Sequence, residues 1–196
     1  HVLRSFDINK PGTKRKNLKG GAIGGSLIQG KFSVGDEIEI KPGILNGKKK
    51  SYESIQTEIV SLGTGAGTVD NVKPGGLVAI GTKLDPSLSR SDSLLGSVIG
   101  KPGTLPENST VSKMGINLFD TAVGTQGETK VTPVQVGELL RVNIGTAPVP
   151  AKVNKAKADE IEIEFRRPVC LFTGGNVALS RRISERWRLV GAGTVV

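Results

Sequence analysis

The run Val2–Gly43, VLRSFDINKPGTKRKNLKGGAIGGSLIQGKFSVGDEIEIKPG, reads as a strand, a basic loop, a glycine-rich strand and a tight hairpin opened by Val34-Gly35-Asp36. The same grammar continues to the end of the chain. Glu160-Ile161-Glu162-Ile163-Glu164-Phe165 alternates strictly, with Ile161, Ile163 and Phe165 on one face and glutamates on the other, the mark of a half-buried antiparallel strand. Glu37-Ile38-Glu39-Ile40-Lys41 repeats it. Further strand candidates are 2–8, 22–29, 55–62, 77–81, 95–99, 134–136, 139–144, 152–154, 177–179 and 187–190. Pro11-Gly12, Pro42-Gly43, Asn46-Gly47, Pro74-Gly75-Gly76 and Gly174-Gly175 punctuate them as turns. No amphipathic helix of useful length is predicted. Many short strands with such punctuation predict an all-β chain.

Two prolines and a glycine in Lys101-Pro102-Gly103-Thr104-Leu105-Pro106 break any ladder. The predicted architecture is two antiparallel β-barrels in tandem, residues 1–101 and 107–196, with a short linker at 102–106. Within 107–127, Met114, Ile116, Leu118 and Phe119 fit a strand with a ragged end, and 115–127 and 63–71 read as loops or irregular edges.

Composition narrows the chemistry. The 196 residues carry a net charge of +9, with the larger share of the excess in the first half, which favours a polyanion or an acidic protein partner. Cys170 is the only cysteine and sits in an apolar run, so it is expected in the core. His1 is the only histidine, which disfavours histidine-based zinc sites and Ser-His or Cys-His catalysis. No run of about 18 apolar residues predicts a membrane span. The chain begins at His on a strand pattern, which reads as an excised cytoplasmic fragment.

Gly20-Gly21-Ala22-Ile23-Gly24-Gly25 lacks the spacing and the following helix of a phosphate loop, and Gly63–Thr68 misses the dinucleotide fingerprint. These glycines are expected to permit close backbone approach, between strands or to a ligand. The glutamates at 160, 162 and 164, with Asp36, Glu37 and Glu39, read as solvated outer faces rather than acid–base pairs. No catalytic or metal-binding residue is assigned.

Four basic clusters remain: Lys14-Arg15-Lys16 with Lys19, Lys48-Lys49-Lys50, Arg166-Arg167, and Arg181-Arg182 with Arg186-Trp187-Arg188. Cations on loop tips reach phosphates well but read no base sequence. The seven aromatics form no interleaved stacking stripe, which favours backbone contact to a structured RNA. Trp187 is expected in the second barrel's core.

Several segments carry a resemblance. Arg4–Gly12, Leu18-Lys19-Gly20-Gly21, Gly24-Gly25-Ser26, Gly35–Ile40, Thr57–Leu62 and Pro74–Pro86 are similar to the second domain of the γ subunit of archaeal and eukaryotic translation initiation factor 2. Val142–Ala147, Arg167-Pro168-Val169-Cys170 and Ala178–Arg182 with Trp187-Arg188-Leu189 resemble its third domain. The resemblance implies domains II and III of a translational GTPase without the GTPase domain, so GTP and magnesium are expected outside these residues and no cofactor within them. It implies three partners: initiator methionyl-tRNA, the α subunit of the same factor, and the small ribosomal subunit. For the α subunit it points to the loops 11–18 and 45–51, hence Lys14, Arg15, Lys16, Lys48, Lys49 and Lys50. For the tRNA acceptor end it points to Lys19, Gly20, Gly21, Gly24, Gly25, Ser26, Lys73, Gly76, Val78, Ile80 and Thr82. The alternative is a module that binds only the α subunit and no RNA on its own.

Overall fold

A computed structural model describes residues 1–47, 51–125 and 129–196, and the chain divides into two compact units, His1–Leu105 and Pro106–Val196. Both are built from antiparallel strands, so the chain is all-β.

In the first unit the strands are β1 (Val2–Phe6), β2 (Ala22–Ser26), β3 (Phe32–Ser33), β4 (Glu37–Asn46), β5 (Ser51–Thr64), β6 (Gly67–Val69), β7 (Asn71–Val72), β8 (Leu77–Thr82) and β9 (Val98–Gly100). One sheet runs β1-β2-β8-β5-β4-β9, with β6 added to β5, and β3 pairs separately with β7. The sheet curls until its edges meet: the Val2 amide donates to Ser97 O at 2.9 Å, and the Gly96 amide donates to Val2 O at 3.2 Å. Val2, Ile23, Ile38, Ile40, Ile59, Leu62 and Leu94 fill the interior almost without solvent exposure. Burial of each such side chain contributes on the order of 1.5–3 kcal/mol.

The alternation in β4 is correct for its isoleucines but incomplete for its charges. Glu39 and Lys41 are buried as well. The chain at 103–105 lies over them: the Gly103 amide donates to Glu39 Oε2 at 3.1 Å, and Lys41 Nζ donates to Leu105 O at 3.4 Å. Glu39 is therefore not a solvated outer-face residue. The predicted strand at 95–99 begins only at Val98, because Leu94–Ser97 forms the turn that meets β1. Residues 63–71, expected as irregular, are the end of β5 and a regular hairpin to β6.

In the second unit, β10 (Asn108–Leu118), β11 (Leu139–Ile144), β12 (Ala147–Ala156), β13 (Glu160–Cys170), β14 (Asn176–Ile183) and β15 (Arg186–Val195) close a barrel in the order β10-β13-β12-β11-β14-β15. Met114, Leu140, Val142, Val149, Val153, Ile161, Ile163, Leu179 and Val190 form its core, and Cys170 is buried beside it. The glutamates of β13 face outward, where Lys155 meets Glu162 at 3.0 Å and Lys157 meets Glu160 at 3.5 Å. The ragged stretch from Asn108 is one long strand, with a register shift between Ser109 and Val111 that explains its mixed pattern. The end of the 115–127 segment falls outside the described residues.

Residues 134–136 form no strand. Arg181 holds that segment instead: its guanidinium pairs with Glu138, and its Nη1 donates to Thr132 O at 3.0 Å and Thr132 Oγ1 at 3.1 Å. Trp187 is 40% exposed on β15 and does not enter the core. It lies opposite in parity to Val190, which is fully buried, so strand alternation directs the indole outward.

Candidate functional site

The outer face of the first unit's sheet carries a row of very small residues. Strand register places Arg4 beside Gly24, Gly24 beside Ala79, Ala79 beside Gly63, and Gly63 beside Thr68. Cross-strand partners project to the same side of a sheet. Three neighbouring positions with no side chain or only a methyl therefore form a low floor. Leu3, Arg4, Phe6 and Leu77 rise around it, enclosing a cleft of about 460 Å³. Phe6 and Leu77 are exposed, so the walls present apolar surface to whatever enters.

The glycines of the 20–25 segment divide by role. A Cβ on Gly20 would sit 1.8 Å from Thr82 O, and one on Gly25 would sit 2.1 Å from His1 O. These two let backbone pack on backbone. A Cβ on Gly24 meets nothing nearer than Arg4 Cβ at 3.8 Å. Its missing side chain is open space on the cleft floor. Gly21 belongs with the packing group, since its added Cβ would lie 2.4 Å from Ser89 Oγ.

Strand parity buries the side chains of three residues expected at the acceptor end. Val78 and Ile80 belong to the hydrophobic core. Thr82 is buried too, donating from Oγ1 to Gly21 O at 2.7 Å. Only Leu77 and Ala79 of that strand offer exposed side chains on the outer face, and Val78 reaches the cleft through its backbone. Ser26 is half-buried at the end of β2, while Lys73 and Gly76 are exposed ahead of β8.

The basic loop lies between β1 and β2. Asn9 closes its base: its Oδ1 accepts the Lys19 amide at 2.7 Å and its Nδ2 donates to Lys19 O at 2.8 Å. Asp7 Oδ1 in turn accepts from the Asn9 amide at 2.8 Å and from Asn9 Nδ2 at 2.7 Å. Those two bonds hold the Asp7 carboxyl below its ordinary value of 3.8. The loop so clamped contains a single 3₁₀ turn, Arg15–Asn17. Lys14, Arg15 and Lys16 are exposed, and among the described residues none has a carboxylate within ion-pair distance. Lys48, Lys49 and Lys50 lie outside the described residues.

Sequence reasoning missed Asn9, Asp7, Ala79 and Gly63. The signal for the clamp was the Asp-x-Asn spacing before Pro11-Gly12, a pattern of side chains that cap turns. The signal for the floor was available only through register. Among the described residues, no group of three or more His, Cys, Asp or Glu is placed to hold a metal ion, and no helix is long and apolar enough to cross a membrane.

The chain is similar to known proteins along its whole length. Residues 110–195 match the family described as initiation factor eIF2 gamma, C terminal. Over the whole chain, translation initiation factor 2 subunit gamma of Methanocaldococcus jannaschii is 49% identical across 197 residues, covering 100% of this chain and 48% of that protein. The corresponding subunit of Pyrococcus furiosus is 50% identical over 99% of the chain, and that of Aeropyrum pernix 48% identical over 100%; in each case 48% of the relative is covered. The chain thus spans about half the length of the curated relatives it matches.

Proposed function

We propose, from the premise that this chain belongs to the γ-subunit family of translation initiation factor 2, that it is a binding element of the factor. In this reading the cleft over Gly24, Ala79 and Gly63 receives part of the aminoacylated acceptor end of initiator methionyl-tRNA. The clamped loop bearing Lys14, Arg15 and Lys16 docks an acidic face of the α subunit, with Lys48, Lys49 and Lys50 assigned to the same interface by resemblance. The factor acts with the small ribosomal subunit in the cytoplasm, and GTP and magnesium bind elsewhere in it.

The observation that carries the reading is the cleft floor. A backbone-lined trough with apolar walls suits a nucleotide or an aminoacyl group held by shape and main-chain contact. Phe6 adds a ring against which a base can stack. Lys19 and Lys73 are exposed and supply attraction to phosphate without sequence preference. No step of bond chemistry is assigned to these residues.

Such binding is weak and salt-sensitive in the isolated chain, because cations supply most of the attraction and the cleft is shallow. A filter-binding titration with initiator methionyl-tRNA tests this, with affinity falling steeply from about 50 to about 200 mM salt. Tight binding indifferent to salt contradicts it. A second reading, docking of the α subunit alone, is favoured by the absence of ion-pair partners on Lys14, Arg15 and Lys16 among the described residues. Changing these three to Glu abolishes capture of the α subunit under either reading. Methionyl-tRNA binding by the wild-type chain separates the two.

A further inference from the structure

Arg4 is the one charged side chain among the described residues that line the cleft. Its Cβ lies 3.8 Å from where a side chain on Gly24 would begin, so it stands at the edge of the floor. β1 meets β2 on one edge and the 92–97 segment on the other. The Arg4 side chain is drawn to that second edge, where its Nε donates to Asp92 Oδ1 at 2.9 Å. The Ser5 amide donates to the same oxygen at 2.9 Å. Among the described residues, Arg4 Nη1 and Nη2 have no hydrogen-bond or ion-pair partner, and the side chain is 66% exposed.

Asp92 reaches this position at a conformational cost. Ser91 and Asp92 both adopt left-handed backbone, φ 54° and 58°, a region that strains residues other than glycine. The Ser5 amide, and then Arg4, hold the Asp92 carboxyl below its ordinary value of 3.8. It is therefore the charged form that meets the guanidinium at neutral pH.

We propose that Asp92 is a positioning residue for RNA binding: it fixes Arg4 at the β1 rim of the cleft, where Nη1 and Nη2 receive a phosphate of the acceptor strand as it leaves the floor. This rests on the reading of the cleft as the seat of the acceptor end. Two free terminal nitrogens form the planar fork that pairs with two phosphate oxygens at once. Two effects oppose each other at this rim. Asp92 repels the phosphate, but exposure and salt screen that repulsion. A freely rotating arginine loses its rotamer freedom on binding, whereas one already held by Asp92 has lost it beforehand. The second effect is the larger, and this sets the sign of the test.

Asp92→Asn keeps an Oδ1 that accepts from the Ser5 amide and tolerates left-handed backbone, but removes the charge that holds Arg4. The full chain is assayed by filter binding with initiator methionyl-tRNA from about 50 to about 200 mM salt, with thermal midpoints as controls. Arg4→Gln weakens binding about tenfold at low salt and reduces the salt slope by about one. Asp92→Asn weakens it about threefold even though the chain becomes more positive, and adds nothing in an Arg4→Gln background. Unchanged or tighter binding by Asp92→Asn overturns the proposal, because that is the sign a simple countercharge gives. Wild-type affinity in Arg4→Gln overturns it as well, and decides alone where Asp92→Asn fails to fold. Gly24→Val distinguishes this proposal from the reading beneath it. Loss of affinity in Gly24→Val with none in Asp92→Asn overturns the positioning role and leaves the cleft assignment standing. Unchanged affinity in Gly24→Val overturns both.

Discussion

The loop at 10–19 in the first unit and the β14–β15 hairpin in the second have similar cation counts but very different charge availability. In the loop, the structure is held by neutral and acidic groups at its base, Asn9 and Asp7, and among the described residues Lys14, Arg15 and Lys16 have no carboxylate partner. In the hairpin, cations do the holding: Arg181 ties down 132–138 and Arg182 meets Glu185. Among the described residues Arg186 and Arg188 are left without a partner there. A run of Lys and Arg in sequence therefore measures charge, not charge on offer. What decides is whether the fold uses the cation or a neighbouring amide to fix the backbone.

The largest expected effect breaks this comparison on the hairpin side. Arg181→Ala leaves Glu138 without its partner in a mostly buried position and frees the 132–138 segment. It destabilises the second barrel by about 3 kcal/mol, measured as a shift in the urea midpoint. A variant with unchanged midpoint places Arg181 among the free cations instead. Next comes Asn9→Ala, which removes the hydrogen bonds at the loop base and costs about 1–2 kcal/mol. Faster amide exchange through 10–19, with β4 and β5 unaffected, is the readout that locates the effect. Lys14→Ala leaves stability unchanged within about 0.5 kcal/mol, since among the described residues it pairs with no carboxylate.

A pH series sharpens the same contrast. Asp7 titrates below 3.8 in the folded chain because it accepts two hydrogen bonds from Asn9. A depressed carboxyl contributes stability that is fully present above its unfolded value and is lost as pH falls through the folded one. Protection of the Asn9 amide is thus unchanged from pH 7 to about 5 and declines only below about pH 4. Asp7→Asn removes that acid-dependent decline.

Much of this fold is legible from alternation alone. Ile161, Ile163 and Phe165 are buried on one face, and Ile38 and Ile40 likewise. What alternation did not reveal falls into two physical classes. Some positions depend on distant chain: Glu39 is covered by 103–105, and 134–136 is held by Arg181 rather than by a ladder. Others were read by residue type against their own parity. Trp187, expected in the core from its place in the Trp187–Val190 run, is out of phase with Val190. Val78 and Ile80, expected along the acceptor-end pocket, turn their side chains to the core, while Ala79 between them lies on the cleft face. The cleft was harder still, because its floor is a row across strands that no linear pattern contains. Gly24 and Gly25 of the 20–25 run line it, but of the two only Gly24 has open space where a side chain would stand.

Gly24 therefore offers the most direct test of the cleft. Gly24→Val fills the floor while its Cβ keeps ordinary van der Waals distance from Arg4. Affinity of this variant for initiator methionyl-tRNA is measured against wild type by filter binding at about 50 mM salt, with the thermal midpoint of each as control. The account predicts a loss of about tenfold in affinity at an unchanged midpoint. Wild-type affinity in a folded Gly24→Val chain would contradict it and leave the acceptor end without a seat on this surface.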